Sequence, residues 1–433
     1  MSTKAKKTGF WNMLDRLEGD KIIWMIVFLL IIFSILAVSS STSLLAIQQK
    51  SSRLSFAMEQ ILMAAVGLGI IAGLCKIGKI GIFRFFSQGL FVLSFLLLAF
   101  LASHFTKIPF FRPVNINQAW RCISVFGFQL HVFEFVKVFM VMYIAWAMDA
   151  LKTNRTPLAD RLAKKPHLEF MAKKEAKVCF YVLFPIAIIT LLIALGSNSS
   201  AMFIGLVMVV TALVGGLDLK YIIYVMLLGI VGVGLIFGVY KISDGKVFGR
   251  LELIERRVKL ALADPLERLH AEKPGTLKFQ KILDETMQPV SAKVAVSEGG
   301  FFGKGPGNST QRYVVSVMYE DYIFSFIVEE YGMIGALVIL ILYGSLLARG
   351  SIIVRNCDNH YAKTMIAGLV LLVSGQALMH ILINVDLFPL TGQTLPMISH
   401  GNSSFLAFSL VFGVLLSVSK MAQKKIEQEK LDP

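Results

Sequence analysis

The chain has 433 residues, 56% of them hydrophobic and only 16% charged, with a mean hydropathy of +0.69 and a formal net charge of +15. A water-soluble fold of this size needs more polar surface, so a soluble globular protein is excluded. The basic excess reads as a marker of membrane orientation and not as a nucleic-acid surface.

A transmembrane helix needs about 20 apolar residues. In chain order such stretches lie near 22–46, 56–75, 85–105, 127–148, 178–196, 200–216, 221–240, 322–348, 362–385 and 403–420. The predicted fold class is all-α: a polytopic integral membrane protein of ten helices, forming a single membrane domain over 1–433. The first stretch is too long for a signal-peptide core, and no small-residue cleavage site follows it. The fifth and sixth are parted only by "GSNSS", which predicts a tight helical hairpin. The four cysteines, Cys75, Cys122, Cys179 and Cys357, are scattered and form no C-x-x-C pair, so they point to neither a disulfide framework nor a zinc site.

Orientation follows from lysine and arginine. With the N-terminus in the cytoplasm, the termini and short loops on that side hold 24 such residues, and the short loops on the other side hold five. Both termini are therefore predicted to be cytoplasmic. The segment 241–321 becomes an extracytoplasmic loop between the seventh and eighth helices. Loops longer than about 60 residues are exempt from the charge rule, so its own basic residues do not count against this.

Four polar features then fall on the outer side. "VNINQAWRCI" is followed by "FQLHVFEFVK" at the start of the fourth span. Glu134 and Lys137 lie three apart in this apolar run, hence on one helix face. Each is costly alone in lipid, so they are expected to face a protein cavity and pair with each other, as structure or as part of a ligand site. In the large loop, Leu251, Ile254, Val258 and Leu262 make "VFGRLELIERRVKLAL" amphipathic, as in a helix on the membrane surface or over a cavity. Asp264 and Pro265 restart a helix after it. "EGGFFGKGPGNS" is glycine-dense with one lysine, Lys304. It is either a plain turn or a phosphate cradle, and it lacks nucleotide P-loop spacing. Asp321 stands where the large loop re-enters the membrane, as a helix N-cap, a proton acceptor or a ligand for a divalent metal. Glu329 and Glu330 follow it within the helix. Finally, "FPLTGQTLPMISHGNSS" crowds prolines, glycines, hydroxyls and amides at the end of a span. Such material is tolerated at membrane depth where it lines a wet cavity.

At these residues the chain resembles a known family. "GGFFGKGPGNSTQR", then "DYIFSFIVEEYGMIGAL", then "FPLTGQTLPMISHGNSSFL" are similar to the motifs of the SEDS family (shape, elongation, division and sporulation), in the family's order and over nearly the whole chain. "LEGDKIIW" and the basic cytoplasmic tract lean toward the cell-division branch over the elongation branch. The resemblance implies a peptidoglycan glycosyltransferase that polymerises lipid II at the outer face of the bacterial cytoplasmic membrane, at the division septum. It implies as partners a class B penicillin-binding protein (an FtsI-like transpeptidase) and other division-site membrane proteins. It implies a catalytic aspartate at Asp321, and it matches Glu134, Lys137 and Arg121 to the family's charged residues of span four. Pro389, Thr391, Gly392, Pro396, Ser399, Gly401 and Ser403 match the last outer loop. The chain departs from the family pattern at Cys122, at His131-Val132-Phe133, at Val317-Met318-Tyr319-Glu320, at His380 and at Asn402.

Lipid II carries a pyrophosphate leaving group, and a sugar hydroxyl must attack its anomeric carbon. Asp321 is the expected general base or ligand for a divalent ion (Mg or Mn). Arg121, Lys137 and Lys304 are expected pyrophosphate contacts, and Ser399 and Ser403 expected donors to the substrate. Three other readings stand beside this one: an elongation polymerase, a lipid II flippase and a non-catalytic scaffold of the division machinery.

Overall fold

The computed structural model describes residues 17–103, 105, 111–116, 119–126, 128–225, 227, 272–314, 318–388 and 390–431. Most of the predicted seventh span, the amphipathic segment at 251–262, the helix restart at Asp264 and Pro265, Val317 and Pro389 lie outside the described residues.

The helical expectation holds. In chain order the helices are α1 (Lys21–Ser41), the short α2 (Ser43–Gln48), α3 (Arg53–Ile77), α4 (Ile80–Ser103), α5 (Val132–Lys152), the short α6 (Pro157–Leu162) and α7 (Lys174–Ala194, with a π turn at Cys179–Leu183). They continue as α8 (Asn198–Val214), α9 (Leu277–Gly299), α10 (Ile323–Asn356), α11 (His360–Asn384) and α12 (Asn402–Leu431). Among the described residues seven helices are long and apolar enough to cross a membrane: α1, α3, α4, α7, α10, α11 and α12. α8 is apolar but shorter, and α5 carries Glu134, Lys137, Asp149 and Lys152 within its 21 residues. α7 and α8 form the expected hairpin, with Ser197 capping α8 by accepting from Ser200 N at 3.3 Å.

α11 and α12 are the most enclosed of the seven, with 61% and 78% of their apolar windows buried. α3 and α4 stand at the periphery, at 28% and 22%. Their outward side chains, such as Met58, Phe85, Phe86 and Leu96, are exposed, which a bilayer solvates and water does not. α3 packs on α12 through small residues. A Cβ at Gly67 would meet Phe405 Cε1 at 2.7 Å, and one at Gly413 would meet Leu74 Cβ at 2.8 Å. This backbone-close packing is the membrane mode of helix association, which lacks a hydrophobic drive between helices.

Two elements were not foreseen. Residues 111–131 form a three-stranded antiparallel sheet, β1 (Phe111–Ile116), β2 (Ala119–Val125) and β3 (Phe128–His131), in the order β1-β2-β3. Val125 pairs with Phe128, so β2 and β3 are joined by two residues, and Phe126 takes the positive φ that such a turn demands. Span four therefore starts at Val132 and not at 127, because the preceding residues alternate as a strand. The second is α9, capped by Thr276, whose hydroxyl accepts from Phe279 N at 3.1 Å. Its buried stripe of Ser291, Ala292, Ala295 and Gly299 is narrow enough to lie against α10.

The polar features sort to the two ends of the bundle. At one end are the sheet, the glycine loop, Asp321 and the last loop. At the other, Asp20 caps α1 through Ile22 N at 2.8 Å and pairs with Arg349 Nε at 2.9 Å, tying α1 to the far end of α10. Glu18 pairs with Lys420, and Arg84 with Asp149, at that same end.

Candidate active site

The site is built where β2, the start of α10, the end of α11 and the loop 390–401 meet. Three consecutive carbonyls are held from outside. His400 N donates to Tyr319 O at 2.9 Å, Ser399 Oγ to Glu320 O at 2.9 Å and Asn384 Nδ2 to Asp321 O at 3.0 Å. The Asn384 amide oxygen also accepts from Ser325 N at 2.9 Å and Ser325 Oγ at 2.8 Å, joining α10 to α11. The His400 ring meets the Tyr319 ring edge-on at 5.7 Å. The carbonyls of the three residues from Tyr319 to Asp321 are thus each held by a partner outside the segment.

The carboxylate faces Gly392. A Cβ there would lie 3.9 Å from Asp321 Oδ2, and Gly392 has φ +65°. Glycine at this position both permits the turn and leaves the approach to the carboxylate open. Burial pushes the Asp321 carboxyl up to about 6, against the lowering influence of the Arg121 cation. Burial, and then the charge of Asp321, push Glu320 up to about 7. The two neighbouring acids titrate as a coupled pair. Arg121 Nε and Thr391 Oγ1 are both buried without a hydrogen-bond partner. Buried donors of this kind are costly to leave unmade; Arg121 acts by charge on Asp321, and Thr391 adjoins Gly392, which faces that carboxylate.

Glu134 and Lys137 come together. Lys137 Nζ lies 2.7 Å from Glu134 Oε2, donates to Gln376 Oε1 at 2.6 Å and sits 4.8 Å above the Phe408 ring. Gln376 Nε2 donates onward to Thr394 O at 2.8 Å. Lys137 is 1% exposed. Its ammonium is enclosed, so it supports the last loop and does not reach a pyrophosphate in this conformation.

Lys304 is likewise committed. It donates to Glu298, to Thr310 Oγ1 at 2.8 Å and to Glu329 Oε1 at 2.7 Å. The glycine loop docks on α10: Lys304 N donates to Glu329 O at 2.8 Å, Gly305 N to Glu330 O at 2.9 Å and Gly307 N to Glu330 Oε1 at 2.9 Å. In this conformation the neighbours of Lys304 are carboxylates that fold the loop. Ser399 and Ser403 are likewise bonded within the chain. Ser399 Oγ is spent on Glu320 O and on accepting from Leu395 N at 2.8 Å. Ser403 Oγ accepts from His131 N at 2.9 Å and donates to Gln129 O at 3.3 Å. Gly401 is half-buried, and a Cβ there would make ordinary contacts with Thr394 and Ser404 at 3.6 and 3.7 Å.

Sequence reasoning missed Gln376, Asn384 and His400. The first two had a signal: Gln376, His380 and Asn384 recur every four residues in "QALMHILIN", a polar stripe on an otherwise apolar helix. Among the described residues no group of three or more His, Cys, Asp or Glu side chains could hold a metal ion.

The chain matches the family of FtsW, RodA and SpoVE cell cycle proteins over residues 20–424. It belongs to this family, the SEDS family. Among curated relatives it is 26% identical over 354 residues to the "Probable peptidoglycan glycosyltransferase FtsW" of Bacillus subtilis, covering 80% of this chain and 77% of the relative. It is 27% identical over 405 residues to the protein of the same description from Trichlorobacter lovleyi, covering 93% of each. Stage V sporulation protein E of Bacillus subtilis matches at 26% over 408 residues, covering 93% and 98%. Two solved structures share the fold. One is described as "Structural coordination of polymerization and crosslinking by a peptidoglycan synthase complex" (TM-score 0.59, 18% identity, 93% of this chain and 98% of that one). The other is the crystal structure of RodA from Thermus thermophilus (TM-score 0.57, 17% identity, 94% and 98%).

Proposed function

We propose that this member of the SEDS family is a peptidoglycan glycosyltransferase that polymerises lipid II during septal wall synthesis, at the outer face of the cytoplasmic membrane. The observation that carries this reading is the fixed, half-buried Asp321 carboxylate under the charge of Arg121 and facing Gly392. Its raised pKa suits a general base, because a carboxylate near 6 is ionised at neutral pH yet basic enough to take a proton from a hydroxyl. In the reaction, Asp321 removes the proton of the acceptor hydroxyl, whose oxygen bonds the anomeric carbon of the donor sugar. The bond from that carbon to pyrophosphate breaks, and the electron pair leaves with the lipid pyrophosphate. Arg121 and the Thr391 hydroxyl meet the charge gained by the leaving oxygen. General-base help of this kind is worth roughly 10²–10⁴ in rate.

A cavity of about 260 Å³ lies beside Arg121's strand, lined by Trp120, Phe133, Leu98 and Leu192. It suits the first isoprene units of the lipid, next to the pyrophosphate. Among the described residues no three or more His, Cys, Asp or Glu side chains cluster around Asp321. A divalent Mg or Mn ion would reach Asp321 only in company with substrate phosphate oxygens, as Mg²⁺ commonly does, and no step above depends on it. The septal assignment follows the naming of the relatives matched along most of their length. The elongation reading stays open through the 30% identity to peptidoglycan glycosyltransferase MrdB of Escherichia coli, which covers 34% of this chain. A class B penicillin-binding protein is the proposed partner, alongside other membrane proteins of the division site.

The test is lipid II polymerisation by the purified protein with its cognate transpeptidase. Wild type should yield glycan chains resolvable on a gel, and Asp321→Asn none. Polymer from Asp321→Asn at near-normal yield would reject the base assignment. Absence of polymer from wild type with lipid II transport in liposomes would favour a flippase, and normal recruitment of the transpeptidase by an inactive wild type would favour a scaffold.

A further inference from the structure

At the end of the bundle opposite Asp321, the end that the charge bias assigns to the cytoplasm, lies a larger cavity that the proposed reaction does not use. Its volume is about 760 Å³. It opens between the ends of α5, α7, α8 and α11. Lys152, Lys174, Lys177 and Lys363 stand around it, with Asp218 as the acid in its lining. Lys177 is balanced by Asp160 at 2.7 Å, and Lys174 lies 3.8 Å from Asp218, where both side chains are well exposed and the pair is weak. Lys152 and Lys363 have no ion pair among the described residues. The cavity is therefore cationic in excess.

Its floor is different in kind. Met148, Leu151, Val178, Val214 and Leu217 give it an apolar base. One polar atom in that lining is buried with no partner, Tyr221 Oη, whereas His360 Nδ1 faces Asp149 Oδ1 at 3.9 Å. Tyr221 is only 5% exposed. An orphan hydroxyl at that depth calls for an acceptor from outside the chain. A cationic rim, a neutral donor within and an apolar floor at the membrane surface together match one chemistry: a phosphate group attached to an apolar body.

We propose that this cavity binds the headgroup of an anionic phospholipid of the inner leaflet, its phosphate oxygens between Lys152 and Lys363 and accepting from Tyr221, its glycerol on the apolar floor. Basic pockets between transmembrane helices on this side are suited to such headgroups. The site lies at the other end of the membrane from Asp321 and is independent of the polymerase reading.

The experiment uses the full-length protein in a neutral detergent. Native mass spectrometry and thermal unfolding are followed on titration with dioleoylphosphatidylglycerol, with dioleoylphosphatidylcholine and with inorganic phosphate. Phosphatidylglycerol should be retained and should raise the unfolding midpoint, while phosphatidylcholine should do neither. Lys152→Gln/Lys363→Gln should weaken retention by roughly thirty-fold, as expected from two lysines near an anionic headgroup. Tyr221→Phe should weaken it several-fold without changing the midpoint of the lipid-free protein. Lys164→Gln/Lys165→Gln, which removes the same charge from exposed positions outside the cavity, should leave retention unchanged. Equal retention of the two lipids, or an unchanged affinity in both cavity variants, would overturn the site. Equal stabilisation by inorganic phosphate alone would overturn the lipid and leave a soluble phosphate compound as the occupant.

Discussion

Asp321 shows how a functional residue stores cost. Its carboxyl is raised from 3.8 to about 6, chiefly by burial. A folded-state pKa above the unfolded one means stability that is fully present below about pH 3.8 and lost as pH rises through about 6. The charged form thus destabilises the fold by up to about 3 kcal/mol at pH 8, at about 1.36 kcal/mol per unit. Asp321→Asn should remove this cost while it removes the base. Its unfolding midpoint should equal or exceed that of wild type at pH 8, with the difference roughly halved at pH 5 and closed only below about pH 3.8. A midpoint well below wild type at pH 8 would show that the carboxylate is a structural partner. The same ionisation should appear in activity, rising with pH and levelling above about 6. Arg121 holds that value down, so Arg121→Gln should move the rising limb to higher pH as well as lower the rate. An unmoved limb would separate Arg121 from the carboxylate.

The glycine loop and α10 show why element identity was easier to read than element role. The loop 299–307 was legible as a turn, and its lysine invited a phosphate. The neighbours that decide the matter, Glu329 and Glu330, lie two dozen residues away and meet the loop only in the folded chain. Gly303 has φ +80°, and a Cβ there would collide with the Glu330 backbone carbonyl; Gly307 has φ +78° with nothing within 4 Å. Alanine at Gly307 should cost only the left-handed penalty, about 1–2 kcal/mol. Alanine at Gly303 must also push the loop backbone away from that of α10, so it should sharply reduce the folded protein recovered from membranes. Equal losses at the two positions would reject the docking role. The helices were read well because twenty-residue apolar runs speak for themselves, and the resemblance supplied Asp321 in advance. The sheet at 111–131 was lost because short alternating strands carry less signal than the span that follows them. Ser399 and Ser403 pose a different difficulty. A hydroxyl in a polar loop reads the same whether it serves a substrate or a neighbouring carbonyl.

At the scale of the molecule, the two ends of the bundle do different work. One end holds a carboxylate fixed among loop carbonyls, and the other holds the basic cavity beside ion pairs such as Asp20 with Arg349 and Arg84 with Asp149. The helices α5, α10, α11 and α12 connect them. Lys137 at one level of this core links α5 to α11 through Gln376, which in turn holds Thr394. The polar loop is therefore seated on the middle of the bundle through Gln376, and its drift would break the bond from Gln376 to Thr394 O. This arrangement is useful only in one orientation. A polymerase must present Asp321 outside, where wall is built, and the 24-to-5 bias of lysine and arginine demands the same. Single cysteines at Ser297, exposed on α9, and at Lys164, exposed in the basic tract, test this in a chain freed of its four native cysteines. In intact cells with a permeabilised outer membrane, an impermeant thiol reagent should label Ser297→Cys, and Lys164→Cys only after lysis. Labelling of Lys164→Cys in intact cells with Ser297→Cys protected would invert the molecule. Asp321 would then face the cytoplasm, and the polymerase reading would fall with it.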